Sequence, residues 1–411
     1  MRPHALFDKS FLQALSIDEA TLFDSFFLPV ISPIFYVETL ADLAKEDGIT
    51  KPPEQIVGLL ALKCPEMQGY PCAFHGDIGI NSLMGDDPPM NGQIPVAHGR
   101  IVSANGKIGA VFDKSPELSA FERWQEGEFL LLERDFAKQW RQALLGLDLH
   151  ALAASAKRFG VDPKDAKTLK DVRSLAESVL DRLSPAEQLK LAMDVFGVKG
   201  QMTMRVQARW VMRGHPPLKY FARYARFVTL VEVFFALALA SGKISPERSS
   251  NRCDISYLAY LPFCHLFVSS DRLHREVASL FMRSDQEFVW GPDLKADLKA
   301  QNMLLLQLPE VEREKGLISL GPHPSVGLVH DLWMRHIPAE LEVEDRPAKL
   351  SEEGEKALMS QIQSQVDEAT ATSMLHSSDS LDSMTIKRRV SGKRGSWYQI
   401  PKDLPLPGDE R

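Results

Sequence analysis

Residues 4–16, HALFDKSFLQALS, open as a short apolar run that ends on an acid, Asp8, and pass at once into a helical pattern carrying Phe11, Leu12 and Leu15. A carboxylate thus stands at the carboxyl end of a predicted strand. Helical text from Asp18 to Phe26 leads to FLPVIS, which is short, β-branched and bounded by prolines, and Pro33 then opens a helix running to about Lys45. The order is βαβα. Short strands that are apolar on both faces and alternate with helices predict a parallel sheet covered by helices, an α/β fold.

Text of the same kind returns after Pro216. A long apolar helix (Tyr220 to Ser241) and a helix opening near Asp254 precede CHLFVSSD, a strand ending on Asp271; then come a helix (Arg272 to Met282), a strand (Glu287 to Trp290) and a helix from Pro292. The stretch between reads differently. Residues 51–95 are rich in proline and glycine, RIVSANGKIGAVF sets Asn105-Gly106 between two apolar runs as a tight hairpin turn, and 116–213 is mostly amphipathic helix. Within it Ser184-Pro185-Ala186-Glu187 combines an N-cap serine, a first-turn proline and a capping-box glutamate. The expected organisation is a discontinuous core from 1–50 and 216–338, a loop-rich and helical module inserted over 51–215, and a tail over 339–411. That tail is acidic, then serine-rich, then basic (KRRVSGKRGSWYQIPKD), and is expected to be flexible.

With 411 residues, 44% hydrophobic and 25% charged, the chain excludes disordered, collagen-like and low-complexity classes and can build a sizeable core. Forty-eight basic residues against 55 acidic give net −7, so any nucleic-acid surface must be a local patch. Four cysteines are too few for a disulfide scaffold, and Asp8 interrupts what a signal peptide would need, which points to the cytoplasm. The most apolar run, Phe227 to Ala240, contains Glu232 and is shorter than the roughly 20 residues that span a bilayer. It is expected to be a buried helix, with no membrane involved.

Asp8, Glu38 and Asp271 share a setting: two follow predicted strands and the third lies on the helix after one. Ligands of open parallel sheets gather outside the carboxyl ends of the strands, and carboxylates converging there call for a hard divalent cation, Mg²⁺ or Mn²⁺. The local text resembles the PIN-domain nuclease family at several points. LFDKSFLQAL is similar to that family's first strand, with its aspartate and a hydroxyl residue two positions later, here Asp8 and Ser10. SPIFYVETLADL matches the helix carrying the second acid at Glu38, DISYLAYLPF the third at Asp254, and LFVSSD the fourth at Asp271. The resemblance covers about residues 4–47 and 217–305. It departs in the long gap between Glu38 and Asp254, read as the insertion, and in Ser270 where a threonine is usual. It implies a three-layer α/β/α core with the four acids as metal ligands, Ser10 or Ser270 supporting them, and metal-assisted hydrolysis of phosphodiesters with RNA as the expected substrate. A DNA-directed enzyme and a non-catalytic PIN-like scaffold that engages a protein partner through the insertion are the alternatives.

RVQARWVMRGHPPLKYFARYAR, residues 205–226, holds Arg205, Arg209, Arg213, Lys219, Arg223 and Arg226 without an acid. The first three recur every four residues, as on one helix face, and Trp210, Tyr220, Phe221 and Tyr224 are interleaved. Phosphate contacts and stacking on unpaired bases are expected there, hence a single-stranded RNA partner. Cys64, Cys72 and His75 have a spacing unlike common structural zinc sites and lack a fourth ligand nearby. No phosphate-binding GKT/S loop, dinucleotide GxGxxG or GxSxG elbow occurs, which weighs against nucleoside-triphosphate and serine-hydrolase chemistry.

Overall fold

A computed structural model describes residues 2–45, 51–67, 69–96, 99–104, 107–112, 115–324, 327–336 and 390–402. Its centre is a five-stranded parallel sheet. Strands β1 (His4–Phe7), β2 (Leu28–Ile31), β3 (Tyr70–Pro71), β6 (Leu266–Ser269) and β7 (Glu287–Trp290) lie in the order β3-β2-β1-β6-β7. The α/β reading therefore holds. Strands β4 (Gly99–Ala104) and β5 (Lys107–Phe112) form the antiparallel hairpin expected around Asn105-Gly106, and that turn itself lies outside the described residues.

The register explains the site. Leu6 pairs with Phe267 and Phe7 with Val268, so residues far apart in sequence end their strands side by side, and Asp8 N donates to Val268 O at 3.2 Å. Helices begin at once after each strand. Asp8 caps Lys9–Ala14, Ser32 caps Pro33–Ala41 and Asp271 caps Arg272–Val277, each side chain accepting from a backbone N–H of the first turn. After β7, Gly291 opens Gly291–Leu305, where a Cβ would collide with Ser270 Oγ. Beneath the sheet, Phe7, Phe11, Phe23 and Phe35 pack edge to face at ring distances of 5.0–5.7 Å.

Helix Arg223–Ala240 is buried on nearly every side, which is why its sequence is apolar all round. Its one interior acid, Glu232, pairs with Arg252 at 2.6 Å. Among the described residues no helix is long and apolar enough to cross a membrane.

Three boundaries differ from the sequence reading. Strand β3 comes from the segment expected to be inserted, pairing Val30 with Tyr70 and Ile31 with Pro71. Two residues ending in a proline are tolerated at a sheet edge and leave almost no periodic signal. The insertion is also not a self-contained module: Val57, Trp124, Val172 and Val179 join Phe7, Phe234 and Val268 in one continuous cluster, and a second, smaller cluster gathers Leu83, Leu189 and Val206 with Leu218 and Phe221 from beyond the segment. Amphipathic helices at 75–84, 149–155, 169–182 and 185–195 find their partner in Arg223–Ala240, not only in each other. Finally, residues 390–402 of the expected flexible tail are docked, with strands β8 (Lys393–Arg394) and β9 (Trp397–Tyr398) forming a hairpin whose Trp397 is fully buried. Positions 339–389 and 403–411 lie outside the described residues.

Candidate active site

Asp8, Glu38, Asp254 and Asp271 come from separate stretches of chain, and the fold links their charges pair by pair, Asp8 with Glu38, Glu38 with Asp254 and Asp254 with Asp271. Asp8 raises the proton affinity of Glu38, and Glu38 and Asp271 raise that of Asp254. Their surroundings nonetheless divide them.

Asp8 is saturated. It is 3% exposed; Oδ1 accepts from Phe11 N at 2.9 Å, and Oδ2 accepts from Ser10 Oγ and Ser269 Oγ, both at 2.7 Å. His274 Nδ1 lies 3.5 Å from the same Oδ2. Hydrogen-bond logic fixes the charge of that imidazole. Nε2 faces the Asp254 carbonyl oxygen at 2.8 Å, which only accepts, and Nδ1 faces Ser269 Oγ at 2.8 Å, whose proton is committed to Asp8. Both ring nitrogens therefore donate. Burial alone would lower the His274 pKa, but the hydrogen bond and charge of Asp8, with the charge of Asp254, outweigh it and lift it to about 9. Burial likewise pushes against an ionised Asp8, yet His274 and the two serines hold its carboxyl below the ordinary range.

Glu38 and Asp254 are the opposite case. Burial raises the Glu38 carboxyl, opposed by the Tyr257 hydroxyl, which donates to Oε2 at 2.5 Å, and by the Lys9 charge. Lys9 also bridges Glu38 O at 3.1 Å and Asp42 at 2.6 Å. Burial, reinforced by Asp271 and Glu38 against His274, raises Asp254 to about 7. Its Oδ2 is buried and, among the described residues, accepts no hydrogen bond. Asp271 uses Oδ1 to cap its helix through Leu273 N at 2.7 Å, while Oδ2 stands 3.7 Å from Arg248. A divalent cation fits this side chemically, since it would satisfy the orphaned oxygen and relieve the repulsion. Among the described residues, however, no three His, Cys, Asp or Glu side chains are already spaced to hold a metal.

The sequence reading chose Ser10 and Ser270 as supports. Ser10 does touch Asp8, but its fellow is Ser269, one residue earlier. His274, Ser269 and Tyr257 were missed. A histidine three positions after Asp271 and a hydroxyl two before it were the available signals.

The basic stretch is less free than its text suggested. Arg209 folds back to donate to Leu83 O at 2.9 Å and lies 4.2 Å over the Phe221 ring, so the expected row of three arginines is not one open face. Acids from the inserted segment reach in: Arg226 pairs with Glu177 and Asp181 at 3.2 and 3.1 Å, and Arg223 approaches Asp87 at 3.6 Å. Phe221 and Tyr224 are core residues, and Trp210 donates to Pro216 O at 2.8 Å. Arg205, Arg213, Lys219, Tyr220 and Arg223 remain exposed. Lys219, Arg223 and Arg226 join Arg173 around a cavity of about 280 Å³ floored by Phe227, Leu230 and Phe281. Cys64 and Cys72 are buried thiols, and His75 instead meets the Tyr260 hydroxyl at 3.1 Å.

Compared with protein-family models, with curated proteins and with solved structures, the chain has no match.

Proposed function

We propose that the chain is a PIN-like, divalent-metal-dependent nuclease of the cytoplasm, with a three-layer α/β/α core, that hydrolyses phosphodiester bonds in single-stranded RNA. One observation carries the reading: four acids from distant stretches are electrostatically coupled at the carboxyl ends of β1 and β6, and one of them, Asp254, keeps a buried oxygen without a partner. Buried polar atoms are ordinarily paired, so such an oxygen is a candidate for a ligand.

A Mg²⁺ or Mn²⁺ ion held by Asp271, Asp254 and Glu38, with Asp8 behind them, would supply water activation and neutralise charge on the scissile phosphate. The chain's own contribution is positional. Ser10, Ser269 and His274 keep Asp8 ionised and fixed, Tyr257 orients Glu38, and Asp254, once ionised, would offer Oδ2 to the cation. Exposed Lys219 and Arg223 beside the cavity offer the phosphate backbone a cationic rim.

The test is cleavage of single-stranded RNA and DNA with Mg²⁺ by the wild-type chain and by Asp271→Asn, which keeps shape but loses the anionic ligand. Hydrolysis by the wild type and at least a hundredfold loss in the variant support the proposal. Equal turnover in both removes Asp271 from the chemistry. The second reading, a non-catalytic scaffold, draws on the saturation of Asp8 by its own cation, His274, and expects neither cleavage nor Mg²⁺ binding.

A further inference from the structure

The docked C-terminal hairpin enters a surface built to receive it. Arg394, 5% exposed, donates through Nε to Leu62 O and through Nη2 to Cys64 O, both at 3.1 Å, and approaches Asp24 Oδ2 at 3.4 Å. Leu62 and Cys64 follow helix Pro53–Ala61, so the guanidinium sits at the carbonyl-bearing, negative end of that helix. Asp24 is held in place independently, accepting from Glu66 N at 2.7 Å and Met67 N at 2.9 Å. The socket's acceptors are thus set by the core and not by the arginine.

The second anchor is Trp397, fully buried, whose Nε1 donates to Asn302 Oδ1 at 2.7 Å. Between the anchors, Gly395 takes a φ of +60°, and a Cβ there would strike Asp18; Ser396 N donates to Asp18 Oδ1 at 2.8 Å. Glu66 accepts from Ser391 N at 2.8 Å and Gln399 Nε2 at 3.1 Å, and Glu314 pairs with Lys402. The charges are complementary: Asp18, Asp24, Glu66 and Glu314 line the socket, while residues 390–402 contain Lys393, Arg394 and Lys402 and no acid. The hairpin pairs with no strand of the central sheet, and positions 337–389 separate it in sequence from the rest of the described chain.

We propose that this acidic socket is a peptide-recognition surface for a basic Arg-Gly-x-Trp hairpin, filled here in cis by the chain's own C-terminal segment as a detachable ligand and able to take the same segment from a second copy. Specificity lies in two deep anchors joined by a turn that only glycine makes without strain. The inference is independent of the nuclease reading.

The test uses a chain ending at residue 389 and a fluorescein-labelled peptide of residues 390–402. Saturable binding that weakens with salt is expected, with at least tenfold loss for the peptides Arg394→Ala, Trp397→Ala and Gly395→Ala. Intact chain, its socket occupied in cis, should bind the peptide at least a hundredfold more weakly. A shortened chain that retains the wild-type circular dichroism spectrum and binds no peptide overturns the proposal. Should shortening prevent folding, a protease site placed within 337–389 of the full chain gives the decision: after cleavage the fragment must exchange with labelled peptide, and a fragment that never exchanges is a fixed part of the fold.

Discussion

Asp8 and Asp254 belong to one cluster of acids yet were built by opposite rules. Asp8 meets a backbone amide, two hydroxyls and an imidazolium and has no unmet demand, whereas Asp254 is half-buried beside two other acids with one buried oxygen, Oδ2, that no group among the described residues satisfies. A fully paired buried charge serves the fold, and an under-satisfied one is where a protein keeps strain for a ligand or a reaction. The proposed division of labour follows: Asp8 anchors the centre and Asp254 awaits a partner.

The largest effect should come from disturbing the saturated side. Asp8→Asn leaves the His274 imidazolium buried without its counter-charge, and removing one member of a buried pair costs about 3–5 kcal/mol. Chemical denaturation should show that loss at pH 7. The double variant Asp8→Asn with His274→Gln should recover part of it, since no charge is then left uncompensated. A single variant as stable as wild type would break the comparison at its first term.

Next in size is pH. The folded His274 pKa, about 9, lies above its ordinary 6.5, so its contribution is complete below pH 6.5 and is lost as pH rises through 9; the shift corresponds to about 3 kcal/mol. Asp254 acts in the same direction over a lower window. Raised to about 7, it favours the folded state fully below its ordinary 3.8 and less as pH climbs through 7, by on the order of 2 kcal/mol because the carboxyl keeps some access to water. Burial lowers His75 and His265 to about 4, which opposes this trend below pH 7, so the Asp254 window is read from the difference in stability between wild type and Asp254→Asn, which should fall from pH 5 to pH 7.5. Above pH 7.5 stability should decline as His274 loses its proton, and somewhat less in Asp254→Asn, because the Asp254 charge is one of the causes that raise His274. That variant is expected to abolish cleavage while making the fold at least as stable at pH 8, the signature of a residue kept for function. A loss of stability there would give Asp254 a structural role.

A cation should sharpen the same contrast. Mg²⁺ binding to Asp254 needs the ionised carboxylate, so the rise in melting temperature with 10 mM Mg²⁺ should be larger at pH 8 than at pH 5.5 and absent in Asp254→Asn. Equal shifts at both pH values would place any bound ion away from this carboxyl.

Much of this could be read along the chain, and the rest failed for one reason. Strand, acid and cap coincide locally in HALFD and LFVSSD, so β1, β6, Asp8 and Asp271 were legible from short windows, whereas Asp254 entered only through the resemblance. What depended on residues distant in sequence was not. Ser269 reaches Asp8 only because β1 and β6 are neighbours, β3 is two residues without periodicity, and the acids that neutralise Arg223 and Arg226 lie on other elements. The tail likewise carried a polar, basic text that suits a flexible end as well as a hairpin with a buried Arg394 and Trp397.

The smallest expected effect extends the contrast between satisfied and unsatisfied groups to the arginines. Arg205, Arg209 and Arg213 look equivalent at their four-residue spacing, but Arg209 is engaged with Leu83, Phe221 and its ring, whereas Arg205 and Arg213 are exposed. Replacing each by Gln should separate two kinds of consequence. Arg209→Gln removes carbonyl hydrogen bonds and a cation over an aromatic face, and should lower stability by about 1–2 kcal/mol without changing how nucleic-acid binding responds to salt. Arg205→Gln with Arg213→Gln should leave stability within about 0.5 kcal/mol, as surface changes do. If those two arginines touch the phosphate backbone, each releases counterions on binding, so the slope of log affinity against log salt for single-stranded RNA should shrink by roughly 0.7 per contact. Ca²⁺ in place of Mg²⁺ keeps cleavage from obscuring the measurement. An unchanged slope in the double variant would mark Arg205 and Arg213 as a solvated helix face and move the backbone contact to Lys219 and Arg223 at the rim of the cavity, where the same pair of measurements, repeated on Lys219→Gln with Arg223→Gln, applies.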